Sequence, residues 1–254
     1  MDALKSVADV ETSYGGGFVE SINGIKSTYN SGQGEPKDWF YYINGMLATV
    51  GALEYNMHPG DIMRWDFHDW SLDRITTCVV ADYPEPFLHG YGGSVPTVYV
   101  VDTGGYEAPS YSLIGSLEEY GIDAKHRTAD CLAQSEKKNG NLILIGDFNS
   151  EMISELNSDY DEMGWFFQYT NSEVRIHDST GETIRVLDRC GIIAAAQNPW
   201  NEKGTWNGEN VVWVCTGVTK DDVGNAVILL VEHPEALSNS FSVVIHGGEV
   251  FGVP

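Results

Sequence analysis

Three short apolar segments, each bounded by a tight-turn signal, constrain the fold of this chain more than any other feature. The first two end at Asn23-Gly24 and Asn44-Gly45, and the third begins after Pro59-Gly60-Asp61. Asn and Gly tolerate the positive φ that tight turns require, so each segment is predicted to be a β-strand flanked by a turn. The sequence therefore predicts antiparallel β-structure in its N-terminal part.

Length and pattern predict two domains. The chain has 254 residues, of which 42% are hydrophobic, and its pattern changes near residue 90. This length exceeds one typical domain. We expect a β-rich domain over residues 1–72, a linker or exposed loop over 73–94, and a second domain over 95–254. The linker contains Tyr83-Pro84-Glu85-Pro86, and proline lacks the backbone donor that a central strand needs.

The second domain alternates predicted strands with predicted helices, which favours a parallel or mixed sheet covered on both faces. The predicted fold class is α+β: a small β-grasp-like β-rich domain followed by an α/β domain. The predicted strands are 97–101, 142–145, 166–169, 173–177, 192–195, 211–215 and a final one at 241–245, with helices near 110–120, 129–138, 151–156 and 221–231.

The net charge of the chain limits the classes of molecule that it is expected to bind. The chain carries 37 Asp and Glu against 14 Lys and Arg, a net charge of −23. Such a surface repels phosphate backbones and anionic lipid, which excludes nucleic acid as an expected partner. No apolar run is long enough to span a bilayer. The acidity suits the solubility of a secreted protein. The alternative is that carboxylates hold Ca²⁺, for example in the run 157–162, which departs from the EF-hand pattern.

The order and spacing of these N-terminal strands and turns resemble the transcobalamin-like C-terminal domain. Intrinsic factor and transcobalamin use this small β-domain to cover one face of cobalamin, and the resemblance spans about residues 1–72. It implies a site for cobalamin or another corrinoid on an aromatic strand and its turns. The ligand-facing residues on that resemblance are Asn23, Gly24, Trp39, Tyr41, Tyr42, Asn44, Gly45 and Trp65.

The chain differs from that family in two features. The vitamin carriers close the ligand against a large helical barrel, for which this chain has no sequence. The alternative for the aromatic strand is that protein covers both of its faces. The strands that precede Met1-Asp2-Ala3-Leu4 in the family are also missing, so we expect Met1 to be internal to a longer, exported precursor.

Asp66 and His68 are candidate metal ligands. Strand alternation places both side chains on one face, where they suit a metal ion or one side of a cobalt. The alternative is a histidine that is merely solvated or hydrogen-bonded. Four cysteines allow two disulfides in any of three pairings, or free buried thiols.

Gly146-Asp147-Phe148-Asn149 follows an apolar strand and looks like the metal-dependent endonuclease/exonuclease/phosphatase family. That family also needs a Gln-Glu metal ligand upstream and a terminal Ser-Asp-His, and neither is present. We therefore interpret the segment as a strand, a glycine turn and a helix capped by Ser150, as in surface-protein modules. Asp102-Thr103-Gly104-Gly105 is either an anion cradle or a tight turn, and lacks the spacing of a phosphate-binding loop.

These patterns favour a non-catalytic bacterial ligand-binding protein that is extracellular or displayed on the cell surface. The expected ligand is a small molecule, with cobalamin or another corrinoid as the candidate, delivered to an uptake transporter. The alternative is a structural or adhesive surface module that binds protein or glycan, and a third class is a metal-dependent phosphodiesterase. The first two differ in whether the aromatic strand is open beside a cavity or covered by the second domain.

Overall fold

A computed structural model describes residues 1–29, 33–72 and 74–254. It confirms the predicted α+β class. The α-helices are α1 (Asp2–Lys5), α2 (Glu107–Glu119), α3 (Gln134–Asn139), α4 (Glu151–Ser158) and α5 (Lys220–Glu232), with 3₁₀ turns at Tyr14–Gly16 and Pro234–Leu237. No helix in these ranges is long and apolar enough to cross a membrane.

Two small antiparallel sheets form the N-terminal part. The first contains β1 (Val10–Ser13), β2 (Phe18–Ile22) and β3 (Ile25–Lys26) in that order, and the second has the order β5 (Met46–Leu47), β4 (Lys37–Ile43), β6 (Met63–Asp69). The predicted Asn-Gly turns join β2 to β3 and β4 to β5. Asn23 and Asn44 have φ values of 49° and 50°. This is the left-handed conformation that tight hairpin turns require and that Asn tolerates.

Most of the segment between this part and the next strand is folded onto the protein: residues 74–91 are buried or half-buried, so the expectation of an exposed loop is wrong for them, whereas residues 92–95 are exposed. Cys78, Val79 and Val80 are fully buried, and so is nearly all of Phe87. The carboxylates of Asp82 and Glu85 are buried among them. Residue 73, the first of the predicted linker, lies outside the described residues. The domain boundaries themselves stay a prediction.

A seven-stranded mixed sheet forms the centre of the remaining chain. Its strands are β7 (Val98–Asp102), β8 (Ala124–Thr128), β9 (Asn141–Asp147), β13 (Gly191–Gln197), β14 (Val211–Gly217), β15 (Ser242–His246) and β16 (Glu249–Val253), in the order β16-β15-β13-β14-β9-β7-β8. β8, β7, β9 and β14 are parallel, whereas β13, β15 and β16 are paired antiparallel. Buried side chains pack on both sides of the sheet.

A third small antiparallel sheet contains β10 (Phe167–Thr170), β11 (Glu173–His177) and β12 (Thr183–Leu187). The sequence did not predict β8, β12 or β16. Each is at the edge of its sheet, and four of the five residues of β12 are exposed. An edge strand with charged or exposed side chains lacks the apolar run that marks a central strand. The prediction that β15 is the final strand is also wrong, because β16 follows it.

All four cysteines are free thiols. Cys78, Cys190 and Cys215 are buried, and Cys131 is exposed. Of the predicted alternatives, the structure therefore selects free cysteines over disulfides.

Candidate functional site

The predicted aromatic strand is β4, and β6 pairs with it along its whole length. Trp39 is opposite Phe67 and Tyr41 is opposite Trp65, with ring centroids 5.2 Å and 5.0 Å apart. Successive side chains of a strand point to opposite faces, so these rings share one face of the sheet. The residues most central to the predicted ligand site are therefore brought together.

That face is covered by the N-terminal segment of the same chain. Trp39, Tyr41 and Trp65 pack against a cluster that includes Leu4 and Val19. The indole Nε1 of Trp39 donates a hydrogen bond to the carbonyl of residue 25 at 2.9 Å, and the Tyr41 hydroxyl donates to the carbonyl of residue 50. The rings are thus partly buried core side chains and do not form an open platform.

The opposite face of β4 is covered by the rest of the protein. Tyr42 is fully buried, and its hydroxyl donates to the Thr76 carbonyl at 3.1 Å. Burial raises the pKa of Tyr42 well above its ordinary value. Its ring centroid is 5.9 Å from that of Phe241, which precedes β15. With both faces covered, the structure matches the alternative that protein covers the strand.

Asp66 and His68 share a face, as strand alternation predicts, and they bind each other. His68 Nδ1 is 2.5 Å from Asp66 Oδ2, and its ring stacks on Phe40 with centroids 4.2 Å apart. They line a cleft of about 360 Å³ together with Phe241. Within the described ranges, no group of three or more His, Cys, Asp or Glu side chains is placed to hold a metal ion. The pair therefore has no third protein ligand there.

The two Asn-Gly turns differ in environment. Asn23 is exposed, and its Oδ1 accepts a hydrogen bond from the Asp9 amide at 3.0 Å. Asn44 is fully buried: its Nδ2 donates to Asp61 Oδ1 at 2.8 Å and to the Gly90 carbonyl at 2.6 Å. A Cβ on Gly45 would be 2.9 Å from a backbone oxygen of residue 79. The second turn therefore holds two parts of the chain together.

The Asp-Phe-Asn and Asp-Thr-Gly-Gly segments meet at the carboxyl ends of β7 and β9. The order β8-β7-β9 reverses the direction of winding there, which is where ligands bind in many α/β sheets. Here the polar groups bind each other: Tyr106 donates its hydroxyl to Asp147 Oδ2 at 3.1 Å, and Asp102 Oδ1 accepts from the amides of Gly104 and Tyr106. Those amides are not free to bind an anion, so the tight-turn interpretation fits better.

The largest of the cavities that we consider, about 520 Å³, lies between α5 and the β15–β16 hairpin. Several of its polar groups are also engaged within the chain. Arg189 Nη2 is 3.1 Å from Thr219 Oγ1 and 3.5 Å from Asp222 Oδ1, and His246 Nδ1 is 2.6 Å from the Arg189 carbonyl. Arg189, Asp222 and His246 are therefore already bound within the chain, and no aromatic ring of the described residues other than histidine lines this cavity.

A groove on the first small sheet is the better candidate. We call it the aromatic groove; it encloses about 390 Å³ and is lined by Ser13, Tyr14, Phe18, Glu20, Lys26, Ser27 and Tyr29. Its volume is within the usual range for small-molecule sites. Three aromatic rings alternate here with hydroxyl and charged groups, which is the composition of a site that both stacks on and hydrogen-bonds its ligand.

Tyr14 gives this groove its most unusual feature. Its side chain is 83% exposed, and its backbone has a φ of 50°. Bulky residues rarely adopt a positive φ, and such outliers concentrate at functional sites. The glycines at 15 and 16 continue the left-handed turn, with φ values of 72° and 95°. The turn thus holds a large apolar ring in water beside the groove.

Tyr29 borders the other side of the aromatic groove. Its ring meets Trp70 edge-on, with centroids 4.8 Å apart, and the Trp70 indole is fixed by a 2.8 Å hydrogen bond to Asp38 Oδ2. Sequence reasoning missed this site because Tyr14 and Tyr29 lie in loops. The glycine run after Tyr14 could have indicated the site, since it predicts a turn, and a turn exposes the side chains next to it.

Comparison with known families changes the interpretation of the N-terminal part. The profile of a family described as "Domain of unknown function (DUF4430)" matches residues 1–69. No transcobalamin-like family matches, so the resemblance to that domain is wrong. Short aromatic strands with Asn-Gly turns satisfy the hairpin rules of many β-domains, which is why the pattern misled. No curated protein matches the chain.

Proposed function

We propose that this chain is a non-catalytic binding module of the extracellular or cell-surface kind, and that the aromatic groove holds a glycan. The observation that carries the proposal is the exposed Tyr14 ring above a groove lined by two further aromatic rings and several polar groups. The C–H faces of a sugar pack well on flat aromatic faces, and its hydroxyls need polar groups such as the exposed Glu20 carboxylate and the Ser27 hydroxyl.

A glycan fits the size and charge of the groove better than a macromolecular surface does. Stable protein interfaces use about 20–30 residues a side, far more than line this groove. The net charge of −23 opposes nucleic acid and other polyanions. One small open groove implies weak binding, with a Kd on the order of 0.1–1 mM. A surface module compensates for such affinity by displaying many copies.

Calorimetry and NMR titration with neutral oligosaccharide trimers test this proposal. We expect saturable binding that Tyr14→Ala weakens about tenfold, or about 1.4 kcal/mol. Tyr111→Ala is the matched control, because Tyr111 is also an exposed aromatic residue, on α2 and outside the groove. Binding that is absent for every oligosaccharide, or equally reduced by both variants, would contradict the glycan site.

The same titrations include aquacobalamin and cobinamide, since a corrinoid was the ligand expected from the sequence. Both faces of the aromatic strand are covered, so we expect no corrinoid to co-elute with the protein in gel filtration. Retained colour that survives Tyr14→Ala would favour corrinoid capture over the glycan module.

A further inference from the structure

Two charged residues line the aromatic groove, Lys26 and Glu20, and they differ in whether they form an ion pair. Lys26 Nζ is 3.0 Å from Glu11 Oε2, and Glu11 also accepts a hydrogen bond from the Ser21 hydroxyl at 3.0 Å. The hydrogen bond to Glu11 and the charge of Glu11 raise the pKa of Lys26, and the charge of Glu20 adds a smaller contribution. The positive charge of the groove is thus already neutralised by a carboxylate of the same chain.

Glu20 carries the negative charge of the groove. Glu11 is opposite Ser21 and Thr12 is opposite Val19, so the register of β1 and β2 skips Glu20 and leaves it as the extra residue of a β-bulge. Bulges redirect a side chain away from the regular alternation of the strand. Glu20 is exposed, and no basic nitrogen of the described residues forms an ion pair with it within 4.0 Å.

The aromatic rings around Glu20 attract positive charge, as its carboxylate does. The face of an aromatic ring is negative, so Tyr and Phe attract a cation placed over them. Tyr14, Phe18 and Tyr29 therefore combine in one groove with a carboxylate that has no ion-pair partner within 4.0 Å among the described residues. This combination disfavours an acidic sugar and favours a ligand with a positive charge.

We infer that the aromatic groove selects a sugar with a free ammonium group, such as a glucosamine unit, over its N-acetylated or acidic counterparts, and that Glu20 determines this specificity. The inference rests on the proposed glycan-binding function. The ammonium group would lie against the Glu20 carboxylate while the sugar ring stacks on the aromatic side chains.

Three trimers serve as probes: β-1,4-linked glucosamine, β-1,4-linked N-acetylglucosamine and α-1,4-linked galacturonate. At about pH 5.5 the amines are protonated and ordinary carboxyl groups are ionised. We expect the wild-type protein to bind the glucosamine trimer about tenfold more tightly than the N-acetylated trimer, a difference of about 1.4 kcal/mol. Added salt should reduce the ratio, since exposed charges are screened.

Glu20→Gln should bring the ratio of the two affinities close to one. Glu20→Asp keeps the charge and should restore part of the preference. Glu119→Gln removes the same charge from the exposed end of α2 and should leave the ratio unchanged. Equal melting temperatures of the four proteins show that the bulge remains folded.

The outcomes distinguish failure of the Glu20 specificity from failure of the proposed glycan site. Binding of all neutral and amino sugars with equal affinity would overturn the role of Glu20 and leave the glycan module intact. Tightest binding of galacturonate, or a preference that Glu20→Gln does not change, would also overturn the inference. Failure of every sugar to bind would overturn the proposed function itself.

Discussion

Arg64 and Asp82 form a partly buried ion pair that joins the second small sheet to the segment before the seven-stranded sheet. Arg64 donates from Nε and Nη2 to Asp82 Oδ1 at 3.0 Å and 2.6 Å. The Asp82 side chain is only 2% exposed. Both residues were unremarkable in the sequence, and only the fold places them together.

Removing one partner of this pair should strongly destabilise the protein. Arg64→Met leaves the Asp82 carboxylate buried without a counter-charge, which typically costs about 3–5 kcal/mol. The free energy of unfolding in urea measures the loss. Arg64→Met combined with Asp82→Leu should recover most of it, because neither charge is then buried. A single variant as stable as the wild type would show that the pair contributes nothing.

The two Asn-Gly turns should respond differently to the same substitution. Asn44→Ala removes the buried amide that binds Asp61 and Gly90, and leaves the Ile62 amide without its 2.7 Å acceptor. We expect a loss of about 2–4 kcal/mol, since each unsatisfied buried group costs about 1–3. Asn23→Ala should cost about 1 kcal/mol, because it removes one exposed hydrogen bond. Equal losses would contradict the structural difference.

Asp147 should be structural. Its Oδ1 accepts from the Asn149 amide at 2.9 Å and its Oδ2 accepts from Tyr106. Asp147→Ala should cost about 1–2 kcal/mol. Burial first, and then the Asp147 charge, raise the pKa of Tyr106 to about 12, so the variant should also lower that pKa in an absorbance titration. Mg²⁺-dependent phosphodiester cleavage by the wild type, lost in the variant, would show that the chain is an enzyme.

Buried thiols should make the protein labile in alkali. Burial raises the pKa of Cys190 and Cys215 to about 12 from an ordinary value of 9.0. Below pH 9 both folded and unfolded thiols are protonated, so their contribution to stability is complete. Between about pH 9 and 12 only the unfolded thiol ionises, and stability falls by up to about 1.4 kcal/mol per pH unit per thiol.

Urea unfolding at several alkaline pH values checks this slope. Cys215→Val removes one buried thiol and should flatten the decline. Cys131→Ala serves as the control, because Cys131 is exposed. The same steepness in all three proteins would mean that other groups cause the alkaline loss.

Local pattern predicted much of the secondary structure. The helices α2, α4 and α5 and the strands β9 and β14 lie where periodicity and apolar runs place them, because a buried element must carry its apolar side chains in its own sequence. The positive φ at Asn23 and Asn44 follows from local sterics alone. Edge strands such as β8 escaped prediction because their stability comes from a neighbouring strand.

The sequence by itself determined the α+β class, the hairpin turns and the acidic character of the surface, because each depends on residues that are neighbours in the chain. Only the tertiary structure decided that Trp39 and Tyr41 are covered, that Asn44 is bound to Gly90, and that Tyr14 and Tyr29 border one groove. Exposure and long-range contact depend on which distant segments fold against a residue. No local periodicity encodes that choice.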